Sequence, residues 1–451
     1  MLAMRPRPPR QGADAHRRTP KRRPEPRDTC IGSAMAKETI IQTVLSNGLQ
    51  VRLKPHHHQR TINLGLYIGH GSQHEDYESN GIAHYIEHVI FNPNHMPAHV
   101  RSLLNDLMDA GVSYEAYTSK EYTRFVVNCR PDLLERALHL LSIIASSKQT
   151  SVDVIEHERS IILHEHSMAF SSSNVLKELL DNAMWGDHSV GLFVIGRKEN
   201  ISRFDRDAIE QRLQQNYVAD RMTLVALGPI DFASFSDIVE RYFGAWETQP
   251  SRTLDLPIQT EPRVIALPTS SQRIDLLFAY PGASFLSHDR HAMDLLADAL
   301  GGGLKSRLFL ELRERQQLAY LVHAYTVTYG VGGYIAFKVN CEQKDMERVY
   351  QTIGEELEKI KQDGVSESEL GRVKAARTTA LFGVLENSSQ HLQIMGRRAI
   401  LGDNFFVDVE TRSIDAVSRE DIARAAREIF VPENVAIVGL GPKQESLLQL
   451  I

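Results

Sequence analysis

Apolar residues recur along this chain with two different periods, and the switching between them predicts strands interleaved with helices. Near-continuous apolar runs at INLGLYIGHGS (62–72) and IDLLFAYPGAS (274–284) end in glycine turns and predict strands. Elsewhere apolar residues stand three and four apart, which predicts helices over 102–110, 133–147, 175–184 and 346–362. A further stripe, Ile82, Ile86, Val89 and Ile90, predicts a helix started by Asn80 and Gly81. Strands joined to helices through mixed connections predict an α+β fold.

The pattern also repeats. RFVVNCR (124–130) is followed by PDLLERA, and AFKVNCE (336–342) by QKDMERV, so Val127, Asn128 and Cys129 return as Val339, Asn340 and Cys341, 212 positions later. NYVADRMTLVALGPID (216–231) is echoed by IFVPENVAIVGLGPK (429–443), each an apolar strand running into Gly-Pro. Two echoes in the same order at nearly one offset predict a duplicated domain of about 200 residues. The expected organisation is a basic tail over 1–37, a first domain over 38–246, a polar, proline-bearing linker over 247–262 and a second domain over 263–451.

Composition narrows the function classes. A net charge of −6 gives no reason to expect nucleic acid as a partner. No apolar run approaches the roughly 18 residues of a membrane helix, so no membrane insertion is expected. Cys30, Cys129 and Cys341 are odd in number and far apart, which suggests reduced thiols and a cytoplasmic location. The tail, with MRPRPPRQ and TPKRRPEPR, is too rich in proline for a helix. It reads as disordered or as an extension upstream of a start at Met35; a mitochondrial transit peptide, the lesser alternative, needs an amphipathic helix that the prolines oppose.

The segment GIAHYIEHVIF (81–91) carries the candidate chemistry. On its helix His84 and His88 are four apart, so both imidazoles leave one face within reach of a single ion. Glu87 stands beside them, completing the inverted zinc motif H-x-x-E-H with a carboxylate placed as general base.

This segment resembles the active-site helix of the insulinase/pitrilysin (M16) metallopeptidases, the family that includes mitochondrial processing peptidase. That family takes its third ligand from a glutamate on a second helix containing E-x6-E. Here EHERSIILHEH (156–166) places Glu165 after 76 intervening residues, with Glu158 seven residues before it. The resemblance implies one Zn2+ held by His84, His88 and Glu165, with Glu158 supporting them by hydrogen bonds. EAYTSKEYTRF (115–125) is similar to the family's edge-strand motif N-A-x-T-x-x-E-x-T, implying that Ala116 meets the backbone of an extended peptide. Glu115 replaces the usual asparagine and points toward basic residues near the cut. GGGLKSRLFLELRERQQLAYLV (301–322) resembles the family's G-G-G…S-R-L-F-x-E-(L/I)-R-E-K-x-G-L-A-Y-S-V, so Arg313 and Tyr320 match its substrate-binding Arg/Tyr pair. The same glycine stretch lacks the glycine before Lys305 that a phosphate loop needs.

His56, His57 and His58 are read as an exposed turn, and His164 and His166 as pointing away from the ion. The resemblance implies two homologous layered domains, each an antiparallel sheet packed with helices, together half of a clamshell chamber. It implies a zinc-dependent endopeptidase acting on peptides or unfolded segments within a homodimer or a heterodimer with a related chain. The rival reading is a non-catalytic scaffold or substrate-binding subunit of the same fold.

Overall fold

In the computed structural model the described residues are 39–93, 96–169, 175–248, 260–269 and 271–442, so the basic tail and most of the linker lie outside them. All described residues belong to one compact unit beginning at Thr39. Its first sheet contains β1 (Ile41–Val44), β2 (Gln50–Pro55), β3 (Ile62–Ile68), β4 (Ser113–Thr118), β5 (Thr123–Cys129) and β6 (Met222–Gly228), in the order β1-β2-β6-β3-β5-β4. Its second contains β7 (Val264–Pro268), β8 (Arg273–Gly282), β9 (Ala319–Thr328), β10 (Gly333–Glu342) and β11 (Ala436–Gly441), in the order β7-β11-β8-β10-β9. Each sheet is antiparallel except for one parallel pair, β2 with β6 and β7 with β11. The parallel pair arises because the late strand of each half returns, through helices, beside the early one.

The sequence echoes occupy matching places. Asn128 pairs with Asn63 across β5 and β3 and donates to its Oδ1 at 2.8 Å, and Asn340 does the same to Asp275 across β10 and β8 at 2.7 Å. Cys129 and Cys341 are both buried free thiols.

Helices α1 (Ile82–Phe91), α2 (Ala98–Asp109), α3 (Leu134–Ser146) and α4 (Val152–Ala169) follow in the first half. There too are α5 (Leu176–Trp185), α6 (Lys198–Arg203), α7 (Arg206–Asn216) and α8 (Phe232–Phe243). The second half has α9 (Arg290–Gly301), α10 (Met346–Asp363), α11 (Glu367–Glu386), α12 (Ser388–Ile400), α13 (Val407–Ala416) and α14 (Arg419–Ile429), with a π-helix at Phe309–Arg315. Helix α2 begins before its predicted start, with Pro97 as its N-cap.

Each half has a main core on one face of its sheet. The opposite faces are covered by exchange. Helix α5 of the first half packs on β8 and β11, while α12 of the second half packs on β3 and β6. Strands covered on both faces lose their alternation, which is why β3 and β6 are buried at every position and read as continuous apolar runs. The α12 contact depends on Gly396, where an added Cβ would stand 2.0 Å from the Tyr67 ring. Tyr67 also donates its hydroxyl to Leu392 O at 3.1 Å.

Candidate metal centre

Helix α1 buries Ile82, Tyr85, Ile86, Val89 and Ile90 against the first core, which leaves His84, Glu87 and His88 on its half-buried face. Its N-terminus is organised from a distance. Gly81 takes φ 102° and lies against Gly196, so a Cβ on either would meet the other's Cα within 2.7 Å. The helix starts as expected at Asn80 and Gly81, with Gly81 as N-cap, but the side chain that caps it is Glu75. That buried carboxylate accepts from Gly81 N and Ala83 N, each at 2.7 Å, and from Asn80 Nδ2 at 3.1 Å. Tyr85 donates to Ile155 O at 2.6 Å and so ties α1 to α4.

Helix α4 presents Glu158 and Glu165 toward α1. His88 Nε2 is 3.3 Å and His84 Nε2 3.9 Å from Glu165 Oε2, and the two imidazole centroids are 4.7 Å apart. The ligand atoms of His84, His88 and Glu165 all lie within 4.8 Å of one another. On the far side of the ring, His88 Nδ1 meets Glu158 Oε2 at 3.1 Å, and Asn92 Nδ2 donates to Glu158 Oε1 at 2.5 Å. Glu158 is 2% exposed in its side chain and Glu165 44%, so one carboxylate is part of the interior while the other faces the opening. Two imidazoles, one accessible carboxylate and a buried acid fixing an imidazole form the donor set of a catalytic zinc site, and these residues fit that ion.

Burial and hydrogen bonding act differently on the two imidazoles. Burial, then the neighbouring His88, pushes His84 down to about 4, so its imidazole is neutral and ready to ligate. Burial also opposes charge on His88, but hydrogen bonds to Glu158 and Glu165 outweigh it and bring His88 up to about 9. Burial raises the Glu87 carboxyl, against the hydrogen bond that Thr118 Oγ1 donates to Glu87 Oε2 at 2.6 Å. His84 and Glu87 line a cavity of about 280 Å3 with Tyr117, Thr118, Glu178 and Phe193. Two larger cavities, about 600 and 650 Å3, contain none of His84, Glu87, His88 or Glu165.

Strand β4 is the terminal strand of the first sheet, bonded on one side only. Ala116 packs partly on the core, and Glu115 is exposed and ion-paired with Arg124 at 3.2 Å. Arg313 lies on the π-helix and Tyr320 on the terminal strand β9, with the guanidinium 4.8 Å from the phenol ring. Among the described residues the pair contacts Phe309, Glu314 and each other, and no contact joins it to the His84/His88/Glu165 cluster. His57 and His58 are exposed in a turn.

The sequence reading missed Glu75, Asn92 and the role of Thr118. Thr118 occupies the threonine of the quoted edge-strand motif, so its position was visible and its contact with Glu87 was not. Glu75 and Asn92 carried no local signal, because each acts across a distance set by packing.

Known proteins resemble this chain over most of its length. Residues 50–198 match the family described as insulinase (peptidase family M16), and 203–377 match the peptidase M16 inactive domain. The uncharacterized zinc protease YmxG of Bacillus subtilis is 27% identical over 407 residues, covering 89% of this chain and 98% of the relative. The mitochondrial-processing peptidase subunit beta of Blastocladiella emersonii is 26% identical over 421 residues, covering 89% and 88%. The crystal structure of a protease from Helicobacter pylori superposes with a TM-score of 0.83 over 90% of this chain and 100% of that one, at 19% identity. Both halves of the chain thus match the same family, in its order and over most of the length, and the chain belongs to the insulinase (M16) peptidase family.

Proposed function

We propose that this protein is a zinc-dependent metalloendopeptidase that hydrolyses peptides or unfolded segments. The observation that carries the reading is the convergence of His84, His88 and Glu165 within 4.8 Å, beside a half-buried Glu87. His84, His88 and Glu165 would hold the ion, while Glu158 fixes the His88 ring at Nδ1. Zinc bound there supplies Lewis acidity to water and to the scissile carbonyl. Thr118 holds the Glu87 carboxylate, which is placed to take the proton of the attacking water and pass it to the leaving amine.

The free edge of β4 accepts an extended substrate by strand addition, with Ala116 and Glu115 along it, and Glu115 favours basic side chains near the cut. Arg313 and Tyr320 bind substrate from the second domain, whose extent we place at 263–451, with the first at 38–246. We further propose that two such chains, identical or related, enclose the substrate in a chamber; a subunit name is carried by the processing-peptidase relative. Among the described residues no helix is long and apolar enough to cross a membrane.

Glu87→Gln tests the assignment. It is expected to keep one zinc per chain and to lower cleavage of a quenched peptide library by about a hundredfold or more. Cleavage that survives both this substitution and EDTA would overturn the assignment. Zinc bound without cleavage by the wild-type protein, alone and with related chains, would instead favour the scaffold reading.

A further inference from the structure

The turn between β4 and β5 carries two buried ions, which is unusual for a hairpin tip. Lys120 is 2% exposed in its side chain and Glu121 4%. Lys120 Nζ donates to Glu178 Oε2 at 3.0 Å and to Leu192 O, and it lies 3.8 Å from Asp181 Oδ2. Asp181 in turn accepts the hydroxyls of Tyr329 and Tyr334 from the second half, each at 2.9 Å. Glu121 reaches the second half directly. Its Oε1 accepts from Gly330 N at 2.6 Å, and its Oε2 accepts from Arg397 Nε at 2.7 Å.

Glu121 therefore fastens the tip of one hairpin to α12 and to the β9–β10 turn, which holds the equivalent place in the second sheet, while Lys120 ties the same tip to α5 and Leu192 of the first half. Burying charges costs desolvation that an ion pair seldom recovers, so such a cluster serves geometry better than it serves stability. The geometry it serves lies two residues away. Thr118, at the root of the turn, donates to Glu87, and Glu178 shares a cavity with Thr118, Glu87 and His84.

We propose that Lys120 and Glu121 are positioning residues of the candidate site: Glu121 pins the β4–β5 turn to the second half and Lys120 pins it to α5, so that Thr118 holds the Glu87 carboxylate and the β4 edge stands beside the candidate metal ligands. The kinetic consequence rests on the peptidase reading; the structural consequence does not. A substrate-binding role would raise KM, whereas a base held slightly out of place lowers kcat.

The test compares wild type with Glu121→Gln and Lys120→Met. In each variant kcat is expected to fall about tenfold or more with KM within about threefold, because small misplacements of reacting groups cost rate. Zinc content stays at the wild-type value, and Glu121→Asp, which keeps the charge, recovers part of the loss. Hydrogen exchange of the 113–118 amides, read by mass spectrometry without any cleavage, is expected to quicken by about tenfold or more. If the wild-type protein cleaves nothing, alone and with related chains, the peptidase reading fails and exchange alone decides this proposal. Unchanged exchange and unchanged kcat overturn it, and so does a lowered Tm with both unchanged. Should Glu121→Gln not fold, Arg397→Gln breaks the same pair from α12 and is judged by the same readouts.

Discussion

Gln317 takes φ 55° and is the one non-glycine residue with positive φ among the described residues. It sits between the π-helix that carries Arg313 and the strand that carries Tyr320, where Leu318 N closes the turn on Leu312 O at 2.8 Å. The family pattern quoted above has glycine at this position. A left-handed conformation costs a residue with a Cβ about 1 kcal/mol or more, and glycine repays part of that through its freer unfolded chain. Gln317→Gly is therefore expected to raise stability by about 0.5–1 kcal/mol, measured as a higher urea midpoint at unchanged slope. No rise would mean that the turn tolerates Gln317 without strain.

Helix α1 has its N-terminal donors satisfied by Glu75, which is 3% exposed and six residues from Gly81 in sequence. Removing that carboxylate leaves two backbone donors buried. Glu75→Ala is expected to cost about 2 kcal/mol and to weaken zinc binding about tenfold or more, read by calorimetric titration. Unaltered zinc affinity would separate the cap from the candidate metal ligands. Burial, opposed by its hydrogen bonds, raises Glu75 from 4.5 to about 7. A carboxyl raised in the folded state holds its proton more tightly there than in the unfolded chain. Its contribution to stability is thus fullest below about 4.5 and falls as pH rises through about 7. Relative to Glu75→Gln, the wild-type protein should lose stability across that interval in urea titrations. A gap that widened in its favour would reverse the sign.

At the scale of the whole molecule, the exchange of α5 and α12 makes each half part of the other's packing. Trp185 on α5 lies against Tyr329 and Tyr334 of the second half, while Trp246 lies tilted against Phe243 beside the first core. The chain's two tryptophans therefore report on different cores. Because helices are shared, both cores are expected to unfold together. In single-tryptophan variants Trp185→Phe and Trp246→Phe, the fluorescence midpoints should agree within about 0.3 M urea once each variant's own stability change is taken from circular dichroism. Two separated transitions within one variant would show halves that unfold independently.

What the sequence by itself determined lies within a few helical turns or one strand. The spacing of His84, Glu87 and His88 follows from 3.6 residues per turn, as does the placing of Glu158 and Glu165 on one face of α4. The echo of Asn128 in Asn340 survives because a cross-strand pair repeats in register. The mate of α1 was legible only through resemblance, since nothing in the chain's periodicity says that residue 165 returns to residue 88. Tertiary structure alone decided the rest. Glu75 caps α1 through a loop, Thr118 meets Glu87 across a strand and a helix, and Glu121 meets Gly330 and Arg397 across 209 and 276 residues. Such contacts are set by how two sheets and their exchanged helices pack. A local pattern can say which face of an element is buried, but not which distant polar group will be waiting there.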